Sequence, residues 1–150
     1  MPILAVPFSL ALGKETNVDR GRVQSKVYQV HGIARWESDR LTLEWSGSIE
    51  ISEIESGSVR NLRQSVPAQR LVLPTAHLAG IDLRRRWWRP HIELRTMGIG
   101  PLELVPTATG GRVSLRIARR DWNAARDLVS HVQLEMADVA LDDAEHAHDV

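Results

Sequence analysis

Residues 110–141, GGRVSLRIARRDWNAARDLVSHVQLEMADVAL, contain a change of period that decides the fold. From Arg112 to Ala118 apolar and polar residues alternate, so Val113, Leu115 and Ile117 share one face and Arg112, Ser114 and Arg116 the other, as in a strand with one buried side. After Ala118 the spacing becomes helical. Trp122, Ala125, Val129, Val132, Met136 and Val139 recur at intervals of three and four, with Leu128 widening the stripe. Asp121 stands where an N-cap belongs. The stretch therefore predicts a last strand followed by one amphipathic helix that must dock to persist.

Upstream, the two-residue period runs back to about Val23. Leu41-Thr42-Leu43-Glu44-Trp45, Ile92-Glu93-Leu94-Arg95 and Leu102-Glu103-Leu104 each read as a half-buried strand. Ser38-Asp39 marks a turn before Leu41, and Gly110-Gly111 predicts a tight hairpin joining Leu102–Val105 to Arg112–Ala118. Within Ser56–Pro74 a short strand is expected over Arg70–Leu73, bounded by Pro67 and Pro74. The links are too short for helical crossovers, so the expectation is about seven short, mostly antiparallel strands. The fold class is mainly β, β plus one C-terminal α-helix.

The 150 residues suit one domain with one core. The reading divides them into an N-terminal arm or extra strand (1–22), a main domain (23–141) and an acidic tail (142–150) expected to be disordered. Cysteine is absent, which excludes disulfides, thiolate metal ligation and a cysteine nucleophile. Ile3–Leu12 lacks the basic flank of a signal peptide, and no apolar run reaches the roughly 20 residues that cross a bilayer. A cytoplasmic protein, peripheral at a membrane at most, is expected.

The formal net charge of zero conceals a partition. Residues 56–126 hold 13 basic and 4 acidic side chains, whereas 127–150 hold 7 acidic and no basic ones. The densest basic run is Arg84-Arg85-Arg86-Trp87-Trp88-Arg89, whose guanidinium and indole groups suit phosphates, stacked bases or a membrane interface. Read as one strand, it puts Leu83, Arg85 and Trp87 on one face and Arg84, Arg86 and Trp88 on the other. These six residues are the candidate ligand-binding site. The tail Asp142–Val150 opposes the helix dipole, which motivates pairing with the arginine-rich middle of the same chain or a neighbour.

For catalysis there is no Gly-x-Ser-x-Gly elbow, no phosphate-cradling glycine loop and no clustered histidines. His31, His77, His91 and His131 stand singly. His146 and His148 belong to the acidic tail and are read as solvated. No catalytic residue, metal ligand or cofactor is assigned.

The order of strands, turn-linked and closed by one helix, resembles the pleckstrin-homology-like superfamily in its bacterial members. The resemblance covers about Val23–Leu141 and rests on Leu41–Trp45, Arg112–Ala118 and the Asp121–Val139 helix. It implies a partly open barrel of two sheets with the helix plugging one end, and a role in binding lipids, peptides or other domains. Two features depart from its lipid-binding branch. Lys26 is followed by Arg35-Trp36-Glu37 where that branch carries a second cation, and Trp122 sits in the first helical turn. The expected function is a non-enzymatic interaction or scaffolding module for a protein partner or its own copies. Peripheral binding to anionic lipid through 84–89 is the alternative, and single-strand nucleic acid the least favoured.

Overall fold

The computed structural model describes residues 3–86 and 89–148, with the side chains of residues 11–15, 86 and 148 left aside. The described residues form seven strands and one long helix: β1 (Leu4–Asp19), β2 (Arg22–Glu37), β3 (Arg40–Glu55), β4 (Ser58–Pro74), β5 (Leu78–Arg86), β6 (Arg89–Thr96), β7 (Arg112–Arg116) and α1 (Trp122–His148). All neighbours pair antiparallel in one open sheet of order β4-β3-β2-β1-β7-β6-β5. The fold is thus mainly β with a single C-terminal helix, as the change of period predicts.

Alternation selects the core. Val6, Phe8 and Leu10 of β1, Ala34 and Trp36 of β2, Leu41, Leu43 and Trp45 of β3, Ile92 and Leu94 of β6, and Val113 and Leu115 of β7 are all buried. Against them α1 lays Ala125, Leu128, Val129 and Val132, with Met136 partly buried behind. The helix packs on β1, on β5 and on the one-turn 3-10 helix Thr75–His77. Gln133 Nε2 donates to the Ile81 carbonyl at 2.8 Å, so α1 also occupies the flank of β5. Gly32 of β2 is required by close approach: a Cβ there would run into the Glu44 carbonyl and the Phe8 ring.

Several expectations are corrected. The residues expected as an arm or extra strand do form a strand, Leu4–Asp19, but it lies centrally between β2 and β7 and not outside the main sheet. Ser56–Pro74 yields one 17-residue strand, not a short one. It accommodates Pro67 because β4 lies at the sheet edge and its register against β3 shifts between Trp45 and Gly47. Leu102-Glu103-Leu104 is no strand. Pro101 and Pro106 remove ladder donors, and a 3-10 turn over Gly100–Leu102 buries Leu102 while Leu104 stays exposed. Gly110-Gly111 does turn tightly, with φ of 60° and 76°, but it joins Thr109 to Arg112 rather than two full strands.

The tail is corrected too. Asp142–His148 continues α1, since each added residue gains a hydrogen bond once a helix is running and Ala140, Leu141, Ala144 and Ala147 favour it. Leu43 lies at 0% exposure at the centre of the core. Leu43→Ala should cost about 2–5 kcal/mol, read from the shift of the urea unfolding midpoint at unchanged slope.

Candidate functional site: an open sheet edge and a basic hairpin

Strands β1–β4 run well past the core. No side chain described in Arg22–Gln29, Ser46–Glu55 or Ser58–Val72 is buried. At about 3.3 Å per residue this four-stranded tongue projects roughly 25 Å, with no buried side chain among those described in β2–β4. Its ends are the tight turns Arg20-Gly21 (φ 46° and 79°) and Ser56-Gly57 (φ 49° and 83°), a conformation whose twist matches that of the flanking strands. Cross-strand polar contacts support it. Arg22 Nη2 lies 2.9 Å from Glu55 Oε2, Gln24 donates to Glu53 at 3.2 Å, and Ser52 donates to Asn61 at 3.1 Å. The hydrogen bond and charge of Glu55 raise the pKa of Arg22 above its ordinary value.

Beside this polar scaffold runs an apolar row. Val18 faces Val23, Val23 faces Ile54 and Ile54 faces Val59, so four β-branched side chains from four strands lie side by side near the tip. Val18, Ile54 and Val59 are 72%, 46% and 65% exposed. On the opposite face Leu62 stands 51% exposed beside Ile51.

The two sheet edges differ. At the β5 edge α1 reaches the Ile81 carbonyl through Gln133, whereas β4 ends the sheet, and among the described residues its outer flank pairs with no strand. A strand edge offers unpaired N–H and C=O groups in register for another strand. An exposed strand edge or barrel mouth is what the sequence leads one to expect of such a fold, but which strand carries the edge is not legible there, because prolines obscure Ser56–Pro74. The Ser56-Gly57 dipeptide was the available signal, since glycine there marks a hairpin whose second arm must be a strand.

The arginine run proves to be a hairpin instead of a single strand. β5 ends at Arg86 and β6 begins at Arg89, with Arg86 paired to Arg89, Arg85 to Pro90 and Arg84 to His91. Trp87 and Trp88, and the Arg86 side chain, lie outside the described residues. Arg84, Arg85 and Arg89 are exposed but do not form one face. Arg84 shares its side with Glu93, whose carboxylate is 3.3 Å away, while Arg85 stacks over the Trp122 indole at 4.5 Å from the ring centroid. Arg85, Pro90, Arg119 and Trp122 line a shallow cleft of about 460 Å³. Sequence reading used Trp122 only as a core residue and did not bring Pro90 or Arg119 to this place. The Ile117 N–H bonded to the Pro90 carbonyl at 2.9 Å draws the two segments together.

Pairing of the acidic tail with this hairpin inside one chain is overturned. Trp122 opens α1 beside Arg85, and Asp142 lies 20 residues on, about 30 Å along the helix axis. No described carboxylate beyond Arg126 makes an ion pair.

Among the described residues no group of three or more histidines, aspartates or glutamates is arranged to hold a metal ion. No described helix is long and apolar enough to cross a membrane. No protein-family model, curated protein or solved structure matches the chain.

The tongue should open independently of the core. Gly57→Ala forces an L-residue into positive φ at a cost of about 1–2 kcal/mol. Amide exchange should accelerate in residues 47–66 and stay unchanged at Leu94 and Leu115.

Proposed function

We propose that this chain is a non-enzymatic interaction module that binds an extended segment of a protein, from a partner or from its own copies, by adding a strand to the β4 edge. The observation that carries the reading is the asymmetry of the sheet: one edge meets α1 at Ile81, and the other, 17 residues long, pairs with no further strand among the described residues. The tongue extends that edge and presents apolar rows on both faces, which suits alternate side chains of an added strand. Strand order and the closing helix support membership of the pleckstrin-homology-like superfamily. A chain without cysteine is suited to the cytoplasm.

Backbone pairing has a signature that side-chain contact lacks. A strand-forming peptide N-methylated at alternate residues should bind in one phase of methylation and not in the other. Amide shift changes in the chain should gather in β4 and β3. Equal binding by both phases would sink the reading.

A second reading draws on the hairpin, where Arg84, Arg85 and Arg89 are exposed and Arg85 lines a cleft with Arg119. This supports contact with anionic lipid. Four arginines at about 1 kcal/mol each supply roughly 4 kcal/mol, a millimolar affinity, so avidity or a second anchor is needed. Sedimentation with phosphatidylserine vesicles should fall with salt and with Arg84→Glu/Arg89→Glu, and indifference to both would remove the lipid reading.

A further inference from the structure

The charges along the edge narrow the choice of occupant. β4 carries Arg60, Arg63 and Arg70 and no acidic residue. Each arginine stands directly opposite a glutamate of β3: Glu53 faces Arg60, Glu50 faces Arg63 and Glu44 faces Arg70. In the last pair Arg70 Nε lies 3.9 Å from Glu44 Oε1, and Glu44 is also 3.8 Å from Arg35. The sheet therefore runs from an acidic ladder on β3 to a basic ladder on β4, and then ends.

The register shift near Pro67 has a consequence for this ladder. Arg63 and Arg70 are seven residues apart, an odd number that would place them on opposite faces of a regular strand. The shift between Trp45 and Gly47 restores the phase. Leu71 and Leu73 pair with inward Leu43 and Leu41, and Leu62 pairs with Ile51 in line with inward Gly47. Arg63 and Arg70 thus share the outer face, about 20 Å apart along the sheet, as are their partners Glu50 and Glu44, while Arg60 stands on the inner one. Their side chains are exposed.

We infer that the strand added at β4 is an acidic extended peptide of another protein and not a second copy of this chain. Cross-strand pairs of opposite charge stabilise a sheet and like charges directly opposite destabilise it. A strand docking on this edge meets Arg63 and Arg70 first, so glutamate or aspartate on its outward face continues the alternation begun by β3 and β4. A second copy presenting its own β4 brings no acid to either arginine in any register, because β4 has none. The other acidic region of the chain, Asp142–Glu145, is helical and offers no strand.

This inference rests on strand addition at β4, and one experiment separates the two. Three short peptides alternating threonine with glutamate, glutamine or lysine serve as probes, titrated into the full chain with affinity and amide shifts recorded. The glutamate peptide should bind about tenfold tighter than the glutamine one, with shifts centred on β4, and the lysine peptide weaker still. Arg63→Glu/Arg70→Glu should invert that order. Arg63→Gln/Arg70→Gln should flatten it, and serves if the charge-reversed chain does not fold. Equal binding of all three peptides at β4 would overturn the charge inference and leave strand addition standing. If no peptide shifts β4, strand addition itself falls. Concentration-dependent self-association that protects β4 amides from exchange would give the edge to a second copy and overturn the inference.

Discussion

The burial of one helical stripe holds this molecule together. Ala125, Leu128, Val129 and Val132 meet the inner face of the sheet, and α1 lies on β1 and β5 at once. Among the described residues, the two groups of strands, β1–β4 and β5–β7, are joined in the sheet where β1 pairs with β7, at Ser9 and Arg116. So short a ladder would hinge freely in water. A helix touching both groups removes that freedom, and it could not stay helical without them, since isolated helices gain too little from their own hydrogen bonds. Each large side chain on the stripe adds roughly 1.5–3 kcal/mol on burial, and the docking of sheet and helix is mutual.

From that contact follows the asymmetry of the edges. By lying along β5 the helix leaves β4 as the sheet's open flank. Open edges are hazards that sheets usually shorten, charge or cover. Here β4 is long, carries arginines and contains Pro67, which removes one N–H donor. Charges and a proline discourage indiscriminate pairing, and the same charges discriminate among strands that could pair. The tongue is stabilised by cross-strand contacts instead of by a core, so it belongs to the softer part of the molecule and is suited to adjust to an incoming strand.

The basic hairpin and the acidic end of α1 illustrate how three dimensions reorganise a charge pattern. In the sequence they look complementary, a run of arginines and a run of carboxylates. The helix separates them by some 30 Å, because Trp122 is anchored beside Arg85 and α1 does not bend back. Arg85 satisfies itself on an aromatic face, and Arg84 on Glu93. The hairpin is therefore a divided surface, which weakens its claim as a single anion-binding face.

The sequence by itself determined the fold class, the closing helix and most of the core. Periodicity reports which side of an element meets water, and Val113, Leu115, Leu128 and Val132 obey it. It also located the turns at Ser38-Asp39 and Gly110-Gly111. Tertiary structure alone decided the rest. Leu102 and Leu104 alternate like a strand, yet the flanking prolines deny them a ladder. Ser58–Pro74 lacks a burial pattern because most of it is never buried, so the periodicity that reveals strands is silent there. That silence hid the candidate site, since an edge belongs to no residue and exists only once the neighbours of every strand are known. Arg60, Arg63 and Arg70 read as scattered charges until β3 sets a glutamate opposite each of them.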